Sequence, residues 1–203
     1  MNPRRVGPEE LPLETVALAR SLIGHLLVRR LDGVTLVGRI VETEAYPPGD
    51  PASHAFRGRT PRNAALFGPP HRAYIYFIYG SSYCANVVSD VEGVGAAVLV
   101  RALEPLSGLN VMRSRRGGRR DRELCRGPGR LCAALGIDRR CDGLDLTGDE
   151  GLWLAAPVGP IGRLRAGRRV GISVAVARRW RFWEAGNPFV SLPNAETRGS
   201  ARP

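Results

Sequence analysis

A chain of 203 residues with 43% apolar content is long enough to bury a sizeable core and too apolar for a disordered segment. No stretch approaches the ~18 apolar residues of a membrane span, and the N-terminus MNPRRVGPEELP lacks the apolar centre of a secretory signal, so a cytoplasmic, nucleoid-associated protein is expected. The formal net charge is +11, and all 30 basic residues are arginine.

Arginine in place of lysine is what a GC-rich genome produces, but the net positive excess is a separate matter. It points to a polyanionic partner, of which a phosphate backbone is the commonest. The absence of lysine also removes every side-chain amine that could form a Schiff base. Four cysteines, Cys84, Cys125, Cys132 and Cys141, form no CxxC pair and stand beside no clustered histidines. Neither zinc nor a disulfide framework is expected of them.

In chain order, residues 13–24 (LETVALARSLIG) carry helical periodicity, with Leu18, Leu22 and Ile23 on the apolar side. HLLVRRL and VTLVGRIVETEAY read as strands joined by Asp32-Gly33, a strong hairpin signal. Residues 47–71 are rich in Pro, Gly, Ser and Asn and read as a long loop, a class that is more often functional than not. YIYFIY then forms a strand, Gly80-Ser81-Ser82 a tight turn, and YCANVVS the returning strand. VGAAVLVRAL is a further apolar strand. PLSGLNVM and PGRLCAALGI read as short helices, the second with Pro128 near its start and Gly136 near its end. WLAAPV, RVGISVAV, RWRFW and PFVSL supply late strands. The expectation is one α+β domain over residues 1–203, mostly antiparallel with helices packed on the sheet, and a frayed tail over 193–203.

Several residues invite a chemical reading beside a bland one. Alternation puts Glu42, Glu44 and Tyr46 on one face of their strand and Val41, Thr43 and Ala45 on the other. That face is either simply solvated or a general base beside a tyrosine at the mouth of a long loop. Four of the five tyrosines fall within residues 72–84. Tyr74 and Tyr76 could pack a core with their hydroxyls bonded, whereas Tyr79 abuts the turn, where a planar ring suits wedging into a base stack. Asn86, among apolar neighbours, is either structurally bonded or reads a ligand. Arg101, closing an apolar strand, needs a carboxylate or phosphate partner. His54 is either loop decoration or part of a site. The arginine-rich run 113–130 reads as a solvated, partly mobile loop or, in keeping with the overall charge, as a contact to phosphates.

Taken in order, RIVETEAY, the loop histidine His54, TPRN, YIYFIYGSSYCAN, VLVRALEPL, DRELCRGPGRLCAAL and DLTGDEGLWL resemble the alkyladenine (3-methyladenine) DNA glycosylase family over about residues 10–191. The resemblance implies a single domain with a curved antiparallel sheet and a protruding β-hairpin that enters the minor groove. It implies base excision repair: flipping 3-methyladenine, 7-methylguanine, hypoxanthine or ethenoadenine out of duplex DNA and hydrolysing the N-glycosidic bond, without metal or organic cofactor; a monomer is the default expectation. On matching positions, Glu44 falls on the general base, and Arg101 on an arginine that helps hold the water and a phosphate. Tyr46, His54 and Tyr76 fall on the residues that sandwich the base, Asn86 on the side chain that clashes with the 2-amino group of guanine, and Tyr79 on the intercalating wedge. Ser81-Ser82 departs from the bulkier residues the family can carry beside the wedge. The rival reading is a non-catalytic nucleic-acid-binding module, which would share the charge and the tyrosines but have no use for ETEAY.

Overall fold

The computed structural model describes residues 3–78 and 80–191. Helix α1 (Thr15–Ser21) starts where the Glu14 side chain accepts hydrogen bonds from the Val16 and Ala17 amides, an acidic cap that also suits the positive end of the helix. Leu18, Ala19, Leu22 and Ile23 are all buried beneath it. Strands β1 (Leu26–Leu31) and β2 (Val34–Tyr46) follow. Asp32 (φ 53°) and Gly33 (φ 74°) both take left-handed backbone between them, the turn whose twist matches that of its flanking strands.

The remaining elements are β3 (Ala73–Ile78), β4 (Ser82–Val88), β5 (Ala97–Ser107), α2 (Leu109–Arg115), α3 (Asp121–Leu124), α4 (Pro128–Leu135), β6 (Leu152–Ala155), β7 (Leu164–Gly167) and β8 (Arg181–Glu184). They build one curled antiparallel sheet in the order β3-β4-β5-β2-β1-β6, with β8 pairing both β2 and β7. Helices α1 and α4 pack on it, α1 against β2 and β5 and α4 against β4 and β5. This is a single α+β domain, as the pattern of strands and short helices predicts.

Strand β2 positions the site. Along one side it pairs with β5 from Val37 to Tyr46. Along the other it changes partner: residues 34–39 face β1, and Glu42, Thr43 and Glu44 face Trp183, Phe182 and Arg181 of β8. The β2–β5 register shifts between Ile40 and Glu42 and again between Glu42 and Thr43. Such irregularities bend a strand and re-aim its side chains, and here they fall where β2 passes from β1 to β8. Both faces are buried there: Val41 and Thr43 on one side, Glu42 and Glu44 on the other. The alternative of a solvated acidic face is therefore corrected.

The β3–β4 hairpin stands at the end of the sheet. β4 begins at Ser82, with Ile78 opposite Ser82, so Ser82 belongs to the strand rather than to the turn. Gly80 adopts φ 66°; Tyr79 lies outside the described residues. The free edge of β3 is covered rather than left as a ladder for another chain. Asp142 accepts from the Ile75 amide (2.7 Å), while Arg139 and Arg62 donate to the carbonyls of Ile75 and Phe77. The N-terminus of α4 fits closely against the hairpin, and a Cβ at Gly129 would come within 2.9 Å of the Ser82 Cβ.

Four expectations need correction. β5 runs on to Ser107, taking PLS out of the anticipated helix, and α2 starts only after Gly108 turns the chain at φ 79°. RVGISVAV is not a strand. Gly171 (φ 78°) and Ala175 (φ 51°) both break the extended backbone, and β7 and β8 occupy that flank of the sheet. PFVSL forms no strand through Ser191, and Leu192 and the tail 193–203 lie outside the described residues. The run 113–130 folds into α2, α3 and the start of α4 rather than a mobile loop. Its arginines hold that packing together: Arg113 grips Asp121 through two bonds, Arg116 donates to the Leu124 carbonyl, and Arg122 and Arg126 reach the Pro188 and Val190 carbonyls.

Candidate active site

The bulged end of β2 carries two fully buried carboxylates with very different surroundings. Glu42 is saturated. Its Oε1 accepts from Arg101 Nε (3.1 Å), Arg181 Nε (2.6 Å) and the Ser191 hydroxyl (2.9 Å), and its Oε2 from the Ser191 amide (2.7 Å). Glu44 has fewer partners. Its Oε1 accepts from the Val170 amide (2.7 Å), and its Oε2 from the Tyr46 hydroxyl (2.9 Å) and Arg101 Nη1 (3.1 Å). A carboxylate offers about four lone-pair sites, so Glu44 keeps one to spare. Burial pushes the Glu44 carboxyl above the usual range, against the pull of the Arg101 guanidinium and the Val170 amide. Burial, and then the charge of Glu44, pushes the Tyr46 phenol upward too, so Tyr46 stays protonated as a donor.

Beside this layer lies a cavity of ≈ 370 Å³, within the range of small-ligand sites. Tyr46, Arg101 and Val170, the three partners of Glu44, form one part of its wall. The hairpin supplies Tyr74, Tyr76 and Ile78 from β3 and Asn86 from β4, as strand alternation predicts for one face. The 47–71 loop supplies His54, whose ring meets Tyr76 edge-on at 4.3 Å between centroids. Its Nδ1 lies 3.1 Å from the Tyr74 hydroxyl. Burial lowers the His54 pKa, favouring the neutral imidazole, and pushes the Tyr74 phenol up to about 12. The cavity is thus aromatic, with its charge concentrated on the Arg101 side. Among the described residues, no group of three or more His, Cys, Asp or Glu could hold a metal ion, and no helix is long and apolar enough to cross a membrane.

A carboxylate held near a cavity of tyrosines in a basic protein fits the chemistry implied by the motifs, and the family comparison decides membership. Residues 9–188 match the family model for methylpurine-DNA glycosylase. The chain belongs to the methylpurine-DNA glycosylase family. It is 52% identical over 190 residues to a candidate 3-methyladenine DNA glycosylase of Mesorhizobium japonicum, covering 94% of this chain and 91% of that one. It is 46% identical over 208 residues to the DNA-3-methyladenine glycosylase of Mus musculus, covering 93% of this chain and 61% of the mouse protein. A candidate 3-methyladenine DNA glycosylase of Nitrosospira multiformis is 50% identical over 179 residues, with 88% and 90% covered.

In this family member, Tyr46, His54, Tyr76, Asn86 and Arg101 all line one cavity, with Glu44 directly behind three of its wall residues. Of the two alternatives for Asn86 the structural bond is present: its Nδ2 donates to the Tyr74 carbonyl (2.9 Å), and the residue borders the cavity. Arg101 finds its carboxylate partners in Glu42 and Glu44. Tyr79 lies outside the described residues. His54 is held in place by TPRN. Asn63 Nδ2 donates to the His54 carbonyl (2.9 Å), and Asn63 Oδ1 accepts from the Thr60 amide (2.6 Å).

Sequence reasoning missed Val170, Arg169, Asp50, Arg181 and Ser191. The first two sit inside a segment read as a strand, where an amide pointing at a carboxylate leaves no trace in side-chain pattern. Arg181 and Ser191 touch Glu42 across separations of 139 and 149 residues, which no local spacing reveals. Asp50 had a usable signal, a lone acid in a loop otherwise without one.

Proposed function

We propose that this protein is a monofunctional DNA glycosylase acting on alkylated or deaminated purines in duplex DNA. The single observation that carries the reading is the placement of a buried carboxylate with a raised pKa, Glu44, immediately behind the Tyr46–Arg101 wall of an aromatic cavity. A damaged purine turned out of the helix enters the cavity and stacks among Tyr46, His54 and Tyr76. Tyr79, which follows the last residue of β3, is assigned to fill the vacated place in the base stack, so that stacking offsets part of the cost of extrusion.

The reaction is a hydrolysis. A water oxygen bonds to C1′ of the deoxyribose as the C1′–N9 bond breaks, and the base leaves with the bonding pair. The water gives its proton to Glu44; a cationic base leaves neutral, a neutral one such as hypoxanthine takes a proton from solvent at N7, and the products are the free base and an abasic site. Glu44 serves twice in this scheme, as proton acceptor and as counter-charge to the oxocarbenium-like sugar. Its elevated pKa improves it as a base, since a carboxylate of ordinary acidity holds a proton weakly. The open lone pair on Oε1 is the place for the water, so the Val170 side must admit it when DNA is bound. A cationic lesion such as 7-methylguanine needs no acid to leave and is attracted to aromatic faces. Asn86, locked on the Tyr74 carbonyl, is assigned to exclude the 2-amino group of normal guanine.

The +11 charge and the arginine-rich surface favour DNA as the partner. With no lysine in the chain, strand cleavage through a side-chain Schiff base is not expected. The test is to incubate the full chain with duplexes carrying 7-methylguanine, hypoxanthine or ethenoadenine, and to assay free base, abasic sites and borohydride-trapped adduct. Release of base with abasic sites and no trapped adduct is expected. Tight binding without release from any lesion would favour the binding module, and a robust adduct would overturn the monofunctional assignment.

A further inference from the structure

Arg169 has no part in the chemistry above, yet it is one of the most deeply placed charges in the molecule, at 4% exposure. Its guanidinium lies over the Tyr46 ring at 4.6 Å and over the Trp180 ring at 5.2 Å. Nη1 donates to the Ala45 carbonyl (2.9 Å), and the two terminal nitrogens grip the Asp50 carboxylate, Nη2 to Oδ1 at 3.0 Å. Nε is buried without a hydrogen-bond partner among the described residues. That orphaned donor is informative, because the guanidinium gives up a bond while keeping its place over the rings.

A buried ion pair is a poor device for stability alone, since apolar side chains of similar volume often serve as well. Its value here is geometric. The planar fork of arginine can stack and hold a carboxylate at once, which the point charge of lysine cannot. Asp50 opens the loop that carries His54, Ala45 separates Glu44 from Tyr46, and the next residue, Val170, presents its amide to Glu44. Resting on the glycosylase reading, we propose that Arg169, locked by Asp50, is a positioning residue that fixes the Tyr46 ring as a wall of the base slot. Tyr46 is then held at two points, its hydroxyl by Glu44 and its ring by Arg169, so the wall is formed before a base arrives and little ordering remains to be done on binding.

The test compares affinity for a duplex containing ethenoadenine with affinity for the same duplex containing a tetrahydrofuran abasic analogue, which has no base to stack. Arg169→Lys is measured in the full chain and again in a Tyr46→Leu background, with Tm followed for each protein and ethenoadenine fluorescence reporting stacking. The expected result is that Arg169→Lys weakens the base-bearing duplex relative to the abasic one by about tenfold, the scale of one base–aromatic stack. In the Tyr46→Leu background the same change should alter that ratio by less than about twofold, because the path through the ring is gone. Equal loss on both duplexes, no loss, or an undiminished effect without Tyr46 would overturn the proposal. Should Arg169→Lys fail to fold, the neutral pair Arg169→Gln with Asp50→Asn carries the same comparison. A wild type that releases no base refutes the glycosylase reading itself, a result distinct from a wild type that releases base while Arg169→Lys behaves identically.

Discussion

The two halves of β2 share a strand and a neighbour, β5, but differ in almost everything else. The first half, Val34 to Ile40, pairs with β1 and buries Leu36, Val37 and Ile40 against apolar clusters. The second half, after the register shifts, pairs with β8 and buries Glu42, Thr43 and Glu44. Burying carboxylates is expensive unless they are paired and bonded, and the structure meets that need by bringing Arg101, Arg181, Ser191 and Val170 to them from distant parts of the chain. One half of the strand is a hydrophobic anchor. The other is held in an environment that raises the pKa of Glu44, a condition that works against stability and fits the proposed role of that carboxylate as a base.

Substitutions along the strand sharpen that contrast. The largest stability effect is expected at Glu42, where Ala would leave Arg101 and Arg181 buried without their shared partner, at a cost of roughly 3–5 kcal/mol. Thermal denaturation should show it as a Tm lowered by about 10 °C or more. Leu36→Ala in the anchor half should cost about 3 kcal/mol through lost burial and a cavity, while the folded fraction keeps its single-turnover base-release rate. Thr43→Val breaks the bond from the Thr43 hydroxyl to the Ala19 carbonyl (2.7 Å) and should cost only about 1 kcal/mol, again with the rate preserved. A Leu36 variant that folded well but lost catalysis would erase the division between the halves.

Acidity offers a finer probe. Burial raises the Glu44 pKa above its ordinary value, and the base must be ionised to accept a proton. Activity should therefore fall as pH drops through that raised pKa, with its acid limb above the range of an exposed glutamate. The linked stability term has the opposite course: it is present below the unfolded pKa and lost as pH rises through the folded one. On the proposed mechanism, Glu44 works ionised in the range where its charge opposes folding. An acid limb at the ordinary glutamate position would contradict this.

The comparison also explains what the sequence could reveal. The anchor half was legible because alternation and the Asp32-Gly33 turn are local signals, and β1, β2, β3 and the core of β4 fall where those signals put them. ETEAY and the tyrosine cluster were legible as a candidate site because acids and rings at period two share a face. The environment of the site was not. Val170 acts through its backbone, and Arg169 acts from a segment whose β-branched composition imitates a strand until Gly171 and Ala175 turn it. The arginine run misled for a related reason: its charge suggested solvent, whereas its side chains bind carbonyls at the ends of helices and of the segment 188–190.

The most direct measurement is single-turnover release of hypoxanthine or ethenoadenine from a duplex by wild type and by Glu44→Gln, with DNA affinity followed in parallel. The account predicts release by the wild type and a loss of at least about 100-fold in the variant, with affinity retained. Equal release by both proteins would remove Glu44 from the reaction and leave the buried end of β2 a structural feature alone.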